Sequence, residues 1–448
     1  MADTTELTHE EVDERNQRLI QDLRRMYPAN TQVAQPIARI QQRLFHSSNE
    51  ALYSDGSPPP PLLSQGTLPA RISTVSVKGR SWQRHLSTLA AAVCAALLVG
   101  ALILVLNLAH QNRTGSSSQQ PEVVTSLHMI DATTGWALTA NKVLRTTDGG
   151  NHWMDVTPLH TPLSRGSIAD FQTASLAWIA IRQANTATEL IVRTTDGGQT
   201  WQQSMVQAPF VKQMTFIDAQ HGWILSGKEN AAGVPAESVS VLRTTDGGQI
   251  WQSISSALFA DVTPPGQLPY GGQKSGIHFL NTTTGWVSGT VTLNDLAWLY
   301  VTHDGGSTWQ HQTLPLPKDV PSAQLSIQSP LFFSALDGIL PVGFTDLATG
   351  KGLATVIYAT HDGGTTWQTT TAVPIALVAV SFFDLQHGWM TDGTTLFVTS
   401  NGGQHWTKLA ANTNFKNITQ LDFVSSAIGW AINGQRMLKT VDGGQTWA

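Results

Sequence analysis

One acidic motif recurs along the second part of the chain, an aspartate with glycines beside it and a tryptophan five residues later. The copy at residues 194–201 has the sequence TTDGGQTW. A single copy would suit a catalytic carboxylate or a metal-binding loop, whereas seven copies indicate a structural element that every repeat needs. The acidic or amide residue and the tryptophan of the seven copies are Asp148 and Trp153, Asp196 and Trp201, Asp246 and Trp251, Asp304 and Trp309, Asp362 and Trp367, Asn401 and Trp406, and Asp442 and Trp447.

The chemistry of this motif fits a tight hairpin. Glycine tolerates positive φ, and a carboxylate accepts hydrogen bonds from turn N–H groups that would otherwise be unpaired. The threonine two residues before the aspartate supplies a further hydroxyl bond, and the tryptophan covers the hairpin. Asn401 replaces aspartate in the sixth copy, and its amide oxygen is expected to accept the same bonds. We therefore predict a structural role for all seven copies.

A second signature, of the type FIDAQHGW, precedes each copy and ends at residues 136, 178, 223, 286, 339, 389 and 430. Short alternating segments in repeats of about 40 to 58 residues are typical of propeller blades. In the third repeat, MTFID, GWILSG, SVLRTT and WQSI are the expected strands A to D. The sequence predicts an all-β, seven-bladed β-propeller at 123–448, preceded by a single transmembrane helix and a short helical N-terminal tail. Blade seven has no strand D after Trp447 and is expected to be the least stable blade.

The pattern S/T-x-D-x-G-x-x-W resembles the Asp-box, or bacterial neuraminidase repeat, with Asn401 as the one departure. Together with the Gly-Trp signature, the array at 123–448 is similar to the photosystem II assembly and stability factor family of seven-bladed propellers. This resemblance implies a non-catalytic binding scaffold that assembles or stabilises a membrane complex.

A glycosidase of the sialidase type is an alternative, because sialidases also use Asp-box propellers. That family uses an arginine triad, a tyrosine nucleophile paired with glutamate, and an acidic aspartate. Here Arg145, Arg193 and Arg243 occupy one repeat-equivalent position before the hairpin, which indicates scaffold. We predict no enzymatic activity, although two carboxylates in some other glycosidase arrangement stay open.

Metal and cofactor sites are not expected. His221 and His387 occupy one repeat-equivalent turn, and His303 and His361 occupy another. Such spacings separate the members of each pair by whole blades, so turn contacts explain them better than metal ligation does. The one cysteine, Cys94, allows no intrachain disulfide.

A ligand surface is predicted where the repeats differ, on the face opposite the motif hairpins in blades two to five. Loops that exceed what a scaffold needs are found there, and loops of this kind often carry function. Unselected loop variation is the alternative explanation. The long loops are 182–189, 226–240, 255–275, 289–297, 314–328 and 343–353. The predicted ligand contacts for a protein or glycan are Lys228, Glu229, Asp261, Tyr270, Lys274, Asp295, Trp298, Asp319 and Lys351, with Trp298 foremost.

Residues 86–108 contain no charge and are long enough to cross a bilayer as a helix. Four basic residues between 71 and 84 precede the span and one, Arg113, follows closely, so the N-terminus is expected in the cytoplasm and the propeller outside it. A Pro/Ser-rich spacer is predicted at 51–85 and a flexible tether at 109–122.

Residues 1–50 are expected to form amphipathic cytoplasmic helices, and 8–45 would suit a protein partner or a lipid surface. A transmembrane sensor that signals through these helices is a further alternative.

Residues 121–448 carry 15 Lys and Arg against 22 Asp and Glu, a net charge of −7. An acidic propeller argues against nucleic acid as its partner.

Overall fold

A computed structural model describes residues 123–448 except 162, 165, 184–186, 228–236, 258–263 and 435. All regular elements in these ranges are β-strands. Within them, no helix is long and apolar enough to span a membrane. The predicted helices at 1–50, spacer at 51–85, membrane span at 86–108 and tether at 109–122 lie outside the described residues.

The first three repeats each form a four-stranded antiparallel sheet in which sequential strands are neighbours. In the third repeat strand B begins at the Gly222-Trp223 pair and is buried along its whole length, whereas strand D is exposed only at its first two residues. The four strands predicted for the third repeat are confirmed. The strands are β1 (Val124–Met129), β2 (Gly135–Thr139), β3 (Val143–Thr146), β4 (Met154–Asp155), β5 (Ile168–Phe171), β6 (Ala177–Arg182), β7 (Glu189–Thr194), β8 (Gln202–Val206), β9 (Val211–Phe216), β10 (Gly222–Gly227), β11 (Val239–Thr244) and β12 (Gln252–Ala257).

The fourth and fifth repeats share one nine-stranded sheet. Strand β17 (Gln324–Ile327) pairs with β19 (Gly338–Thr345) of its own repeat and, on its other edge, with the extended end of β14 (Gly285–Asn294). The predicted long loops at 289–297, 314–328 and 343–353 are therefore partly wrong, because each contains strand residues. The strands are β13 (Gln273–Phe279), β14 (Gly285–Asn294), β15 (Leu299–Thr302), β16 (Gln310–His311), β17 (Gln324–Ile327), β18 (Leu331–Phe332), β19 (Gly338–Thr345), β20 (Gly352–Thr360) and β21 (Gln368–Thr369).

The sixth repeat has four strands and the seventh has three. Beyond the seventh hairpin, Ala448 exchanges both backbone hydrogen bonds with Lys439, at 2.9 and 3.0 Å, in the register that opens strand D elsewhere. The reduced stability of this repeat stays a prediction. The strands are β22 (Ala379–Phe382), β23 (Gly388–Thr391), β24 (Leu396–Thr399), β25 (Thr407–Leu409), β26 (Ile418–Phe423), β27 (Gly429–Asn433) and β28 (Arg436–Thr440).

At five of the seven junctions between successive repeats, a buried tryptophan of strand B stacks on a phenylalanine of the next strand A. Ile339 replaces the tryptophan at the fifth junction, and Met129 replaces the phenylalanine at the last. Trp223, which is fully buried, stacks on Phe279 of the next repeat with ring centroids 3.7 Å apart. Its Nε1 donates to the carbonyl oxygen of Gly305 at 2.9 Å, so the same side chain holds the next hairpin. Burial of a large ring together with a satisfied N–H makes this position a strong contact.

The last repeat contacts the first through the equivalent tryptophan. Trp430 Nε1 donates to the Gly149 carbonyl oxygen at 3.2 Å, and Lys439 Nζ donates to the same oxygen at 2.9 Å. Gln420 in β26 bonds the backbone N–H and C=O of Leu127 in β1. The repeats thus form a closed ring.

Candidate functional site

The seven motif hairpins and the turns between strands A and B lie at one end of the repeats, which we call the hairpin face. The strand B to C turns and the strand D to A connections lie at the other end, the opposite face. In the second repeat the Gly197 N–H donates to the Ser175 carbonyl oxygen, which ties the hairpin to its neighbouring turn. This division is set by the antiparallel order of the strands.

On the hairpin face the motif aspartates are used as turn acceptors. Asp442 Oδ1 accepts the Thr446 N–H at 2.8 Å and the Thr440 hydroxyl at 2.9 Å, while Oδ2 accepts the Thr446 hydroxyl at 2.6 Å. The Thr446 hydrogen bonds lower the pKa of this carboxyl to about 2. A carboxylate held ionised in this way is a poor proton donor near neutral pH.

Both glycines after the aspartate have positive φ. In the first repeat φ is 72° at Gly149 and 88° at Gly150. A side chain at Gly149 would also meet the Ala132 carbonyl oxygen at 2.7 Å. Asn401 keeps the expected bonds, since its Oδ1 accepts the His405 N–H at 2.9 Å. The hydrogen bonds expected of the motif are therefore present with either acceptor.

Two of the arginines before the hairpins and three of the nearby histidines, His221, His361 and His387, make scaffold contacts. Arg145 Nε donates to the Ala174 carbonyl oxygen, and Arg193 Nη2 donates to that of Ala219, each at 3.0 Å and each in the next repeat. His221 Nδ1 lies 2.8 Å from Asp218 of the same turn. In the part of the chain that the structure describes, no three His, Cys, Asp or Glu side chains are grouped so as to hold a metal ion.

Three of the predicted ligand residues are buried. Trp298 is 0% exposed, Lys274 1% and Tyr270 4%. Their prediction as surface contacts is corrected by this burial: Trp298 packs in the core shared by the third and fourth repeats, and its Nε1 donates to the Gly271 carbonyl oxygen at 2.8 Å. A residue at the start of strand C can point inward as readily as outward, which its sequence position does not specify.

Lys274 is the centre of this buried cluster. Its Nζ lies within 3.3 Å of four backbone carbonyl oxygens, at Glu237, Tyr270, Gly271 and Gly272. The ammonium also lies 5.1 Å from the centre of the Trp298 ring. Desolvation lowers the pKa of Lys274 well below its usual value.

The Glu237 carboxylate joins two lysines of this cluster. It accepts from the Lys274 backbone N–H and from Lys212 Nζ, the latter at 2.6 and 2.7 Å. Since Glu237 precedes β11 and Lys274 lies in β13, the cluster fixes the connection between the third and fourth repeats. We assign it a positioning role on the opposite face.

The other predicted ligand residues divide into three groups. Lys228, Glu229 and Asp261 lie outside the described residues. Asp295 is half-buried and accepts hydrogen bonds from the Ser322 hydroxyl and the Ala323 N–H, so it shapes its own loop. Asp319 and Lys351 are exposed and stay predicted contacts.

Two buried carboxyl groups, in strand A of the second and seventh repeats, were not predicted from the sequence. Asp422 Oδ2 accepts the Met129 N–H at 2.6 Å, and Asp170 Oδ2 accepts the Phe216 N–H at 2.5 Å. Burial raises the pKa of Asp422 to about 7 and that of Asp170 to about 6. Both residues directly precede the aromatic position of strand A, a repeat-equivalent signal that could have identified them.

The opposite face also carries a cavity of about 880 Å³ between the first and second repeats. It is lined by the start of β1, the β2–β3 turn and the segment that leads into β5. Predicted binding loops lie in repeats two to five, so this cavity lies mostly outside the predicted region.

No protein-family model matches the sequence, and no curated protein matches it. Among solved structures, the chain is similar to a GH74 enzyme from Niastella koreensis, with 15% identity and a TM-score of 0.52 over 73% of this chain and 53% of that one. A GH74 xyloglucanase from Xanthomonas campestris gives 13% identity and 0.52 over 73% and 54%. YCF48 bound to a D1 peptide gives 16% identity and 0.48 over 73% and 96%.

These similarities establish the fold class. The described part of this chain is a β-propeller, and the chain spans about half the length of both GH74 proteins. At such identities the fold is shared and the activity is not transferred.

Proposed function

We propose that the chain is a membrane-anchored, extracytoplasmic, seven-bladed Asp-box propeller that binds a protein partner without turnover. The observation that carries this proposal is the difference between the two faces. On the hairpin face the motif residues are used in turns and inter-repeat contacts. The opposite face carries the cavity, the exposed Asp319 and Lys351, and the strands that extend from repeats four and five.

The resemblance of the repeat signatures to photosystem II assembly and stability factors favours a role in assembling a membrane complex. Residues 86–108 would anchor the propeller, and residues 8–45 would provide a second binding region in the cytoplasm. If residues 8–45 bind a regulator whose occupancy depends on the propeller ligand, the protein is a transmembrane sensor instead.

The experiment compares crosslinked partners of the full chain with those of a chain lacking residues 1–85. An assembly scaffold retains its extracytoplasmic partner after this deletion, and the partner belongs to a membrane complex. Loss of every partner upon deletion would reject the scaffold proposal and favour the sensor.

A glycosidase is the second candidate, because the propeller fold is shared with two GH74 proteins. The two carboxyls with raised pKa values, Asp170 and Asp422, are buried, and each accepts a backbone N–H of the next repeat. Incubation of the full chain with aryl glycosides tests this directly. Turnover that disappears in Asp170→Asn or Asp422→Asn would establish an enzyme and reject the binding scaffold.

A further inference from the structure

The Lys274 ammonium is surrounded by backbone carbonyl oxygens, which we call the carbonyl cage. Its Nζ lies 2.7 Å from the oxygen of Tyr270, 2.9 Å from that of Gly272 and 3.1 Å from that of Glu237. A fourth oxygen, that of Gly271, lies at 3.3 Å. An ammonium offers three N–H donors and no lone pair, whereas a neutral amine would direct a lone pair at one of these oxygens. The carbonyl cage therefore suits a cation that carries N–H groups.

One wall of the carbonyl cage is aromatic. The ammonium lies 5.1 Å from the centre of the Trp298 ring, whose own Nε1 donates to the Gly271 carbonyl oxygen at 2.8 Å. Trp298 and Lys274 are both buried. A cation beside an aromatic face is attracted more strongly where water is excluded. Carbonyl oxygens and a ring thus take the place of water around the charge, as they do in dry cation sites.

A single carboxylate adds negative charge to the carbonyl cage. Glu237 is buried, accepts the Lys274 backbone N–H and interacts electrostatically with the ammonium. Its carboxylate also accepts from Lys212 Nζ, at 2.6 and 2.7 Å, so its charge is shared between two lysines. Divalent cations are usually held by several carboxylates, so this arrangement suits a monovalent cation.

The carbonyl cage joins two connections on the opposite face. Glu237 ends the connection from β10 to β11, and residues 270–272 end the connection from β12 to β13. The Glu237 N–H donates to the Tyr270 carbonyl oxygen at 3.1 Å, and Lys274 Nζ donates to the same oxygen. The ammonium therefore holds together the ends of two connections in the predicted ligand surface.

We propose that the carbonyl cage is a binding site for a primary alkylammonium ion, filled in this chain by the Lys274 side chain, and that a free ion fills it when this side chain is shortened. Lys274→Ala keeps the β-carbon and removes a chain equivalent to n-propylammonium. The free ion brings N–H donors for the carbonyl oxygens and methylene groups for the space that the variant leaves in the core.

The test follows the denaturation midpoint of the full Lys274→Ala chain relative to the unmodified chain. The solutions contain n-propylammonium chloride, sodium chloride or 1-propanol at equal concentrations. An ion that binds only the folded state raises the ratio of folded to unfolded chain about tenfold at roughly ten times its dissociation constant. We expect the difference between the two chains to shrink in n-propylammonium alone. If Lys274→Ala does not fold by itself, its refolding yield in the three solutions gives the same comparison.

Equal midpoints or equal refolding yields of Lys274→Ala in the three solutions would overturn the proposal. Lys274→Met is the matched control, because its unbranched side chain fills the space of the methylene groups and leaves no room for the ion. We expect no response from it. A response of Lys274→Met as large as that of Lys274→Ala would show that the ion acts elsewhere and would reject the carbonyl cage as its site.

Tetramethylammonium tests the N–H requirement, because it carries the same charge without a donor. We expect it to leave Lys274→Ala as unstable as sodium chloride does. Stabilisation equal to that by n-propylammonium would show that the carbonyl oxygens do not select N–H donors, and the proposal would be wrong.

Partner capture separates this inference from the proposed function. Because Lys274 joins two connections of the opposite face, we expect Lys274→Ala to capture less partner and n-propylammonium to restore the capture. An unmodified chain that captures no partner would reject the binding scaffold, while the midpoint of Lys274→Ala still decides whether the carbonyl cage binds the ion.

Discussion

The hairpin face and the opposite face of this propeller are made from the same repeats but by different rules. On the hairpin face, a threonine hydroxyl donates to an aspartate in six copies of the motif, from Thr146 and Asp148 to Thr440 and Asp442, and to Asn401 in the sixth copy. On the opposite face the connections differ from one another. One is held by the Lys274 cluster, and another borders the cavity beside Asn141. Repetition on one face stabilises the ring, and the other face is thereby free to vary.

The largest effect is expected from the tryptophans that join the repeats. Trp223→Ala removes a fully buried ring, its stacking on Phe279 and the bond to Gly305. We expect a loss of about 3–5 kcal/mol in the free energy of unfolding, measured by chemical denaturation. Ile250→Ala, at a side chain 73% exposed on the hairpin face, is the control and should have little effect.

On the opposite face, Lys274→Met should destabilise the protein by about 3 kcal/mol, because the variant removes the buried ammonium that donates to backbone carbonyl oxygens and interacts electrostatically with Glu237. Lys351→Met changes an exposed lysine on the same face and should be nearly neutral. A stability for Lys274→Met equal to that of the unmodified chain would show that the ammonium is not needed to hold the third and fourth repeats together.

Within the hairpin face, the aspartate and asparagine copies can be compared directly. Asp246→Ala removes the acceptor of the Ile250 and Gln249 N–H groups and should cost about 1–2 kcal/mol. Asn401→Asp should instead stabilise the sixth repeat by about 0.5–1 kcal/mol, since a carboxylate accepts more strongly than an amide. Thermal unfolding of the two variants measures both changes, and a destabilised Asn401→Asp would mean that the sixth hairpin requires the amide.

A smaller effect, the dependence of stability on pH, distinguishes the buried carboxyl of Asp422 from the hairpin carboxyl of Asp442. Burial raises the folded-state pKa of Asp422 to about 7, above its value in the unfolded chain, so the folded state binds more protons between about pH 4 and 7. Its stability contribution is therefore full below pH 4 and is lost as pH rises through 7. The pKa of Asp442 is lowered to about 2, so its contribution is lost only as pH falls below 4.

The measurement is the denaturation midpoint between pH 4.5 and 7.5. We expect Asp422→Asn to flatten the fall in stability over this window, and Asp442→Asn to leave its slope unchanged. The same flattening in both variants would contradict the assignment of the slope to the buried carboxyl.

The sequence was sufficient to predict the hairpins because their bonds are local, as Asp196 and Thr194 illustrate. It also predicted the strands, since the alternation of buried and exposed residues has a fixed period. Trp298 was misplaced because its burial depends on Gly271 and Lys274, which lie far from it in the sequence. The cavity was not predicted because its serines, threonines and asparagine come together only once β1 and the segment before β5 lie side by side.

The central claim is that a partner binds on the opposite face, and site-specific photocrosslinking tests it most directly. A photoreactive residue is placed at Ala140 or Lys351 on the opposite face, or at Ile250 or Thr365 on the hairpin face, all of them exposed. We predict that the partner is crosslinked from the first two positions and not from the second two. Crosslinking of the same partner from Ile250 or Thr365 alone would contradict the account.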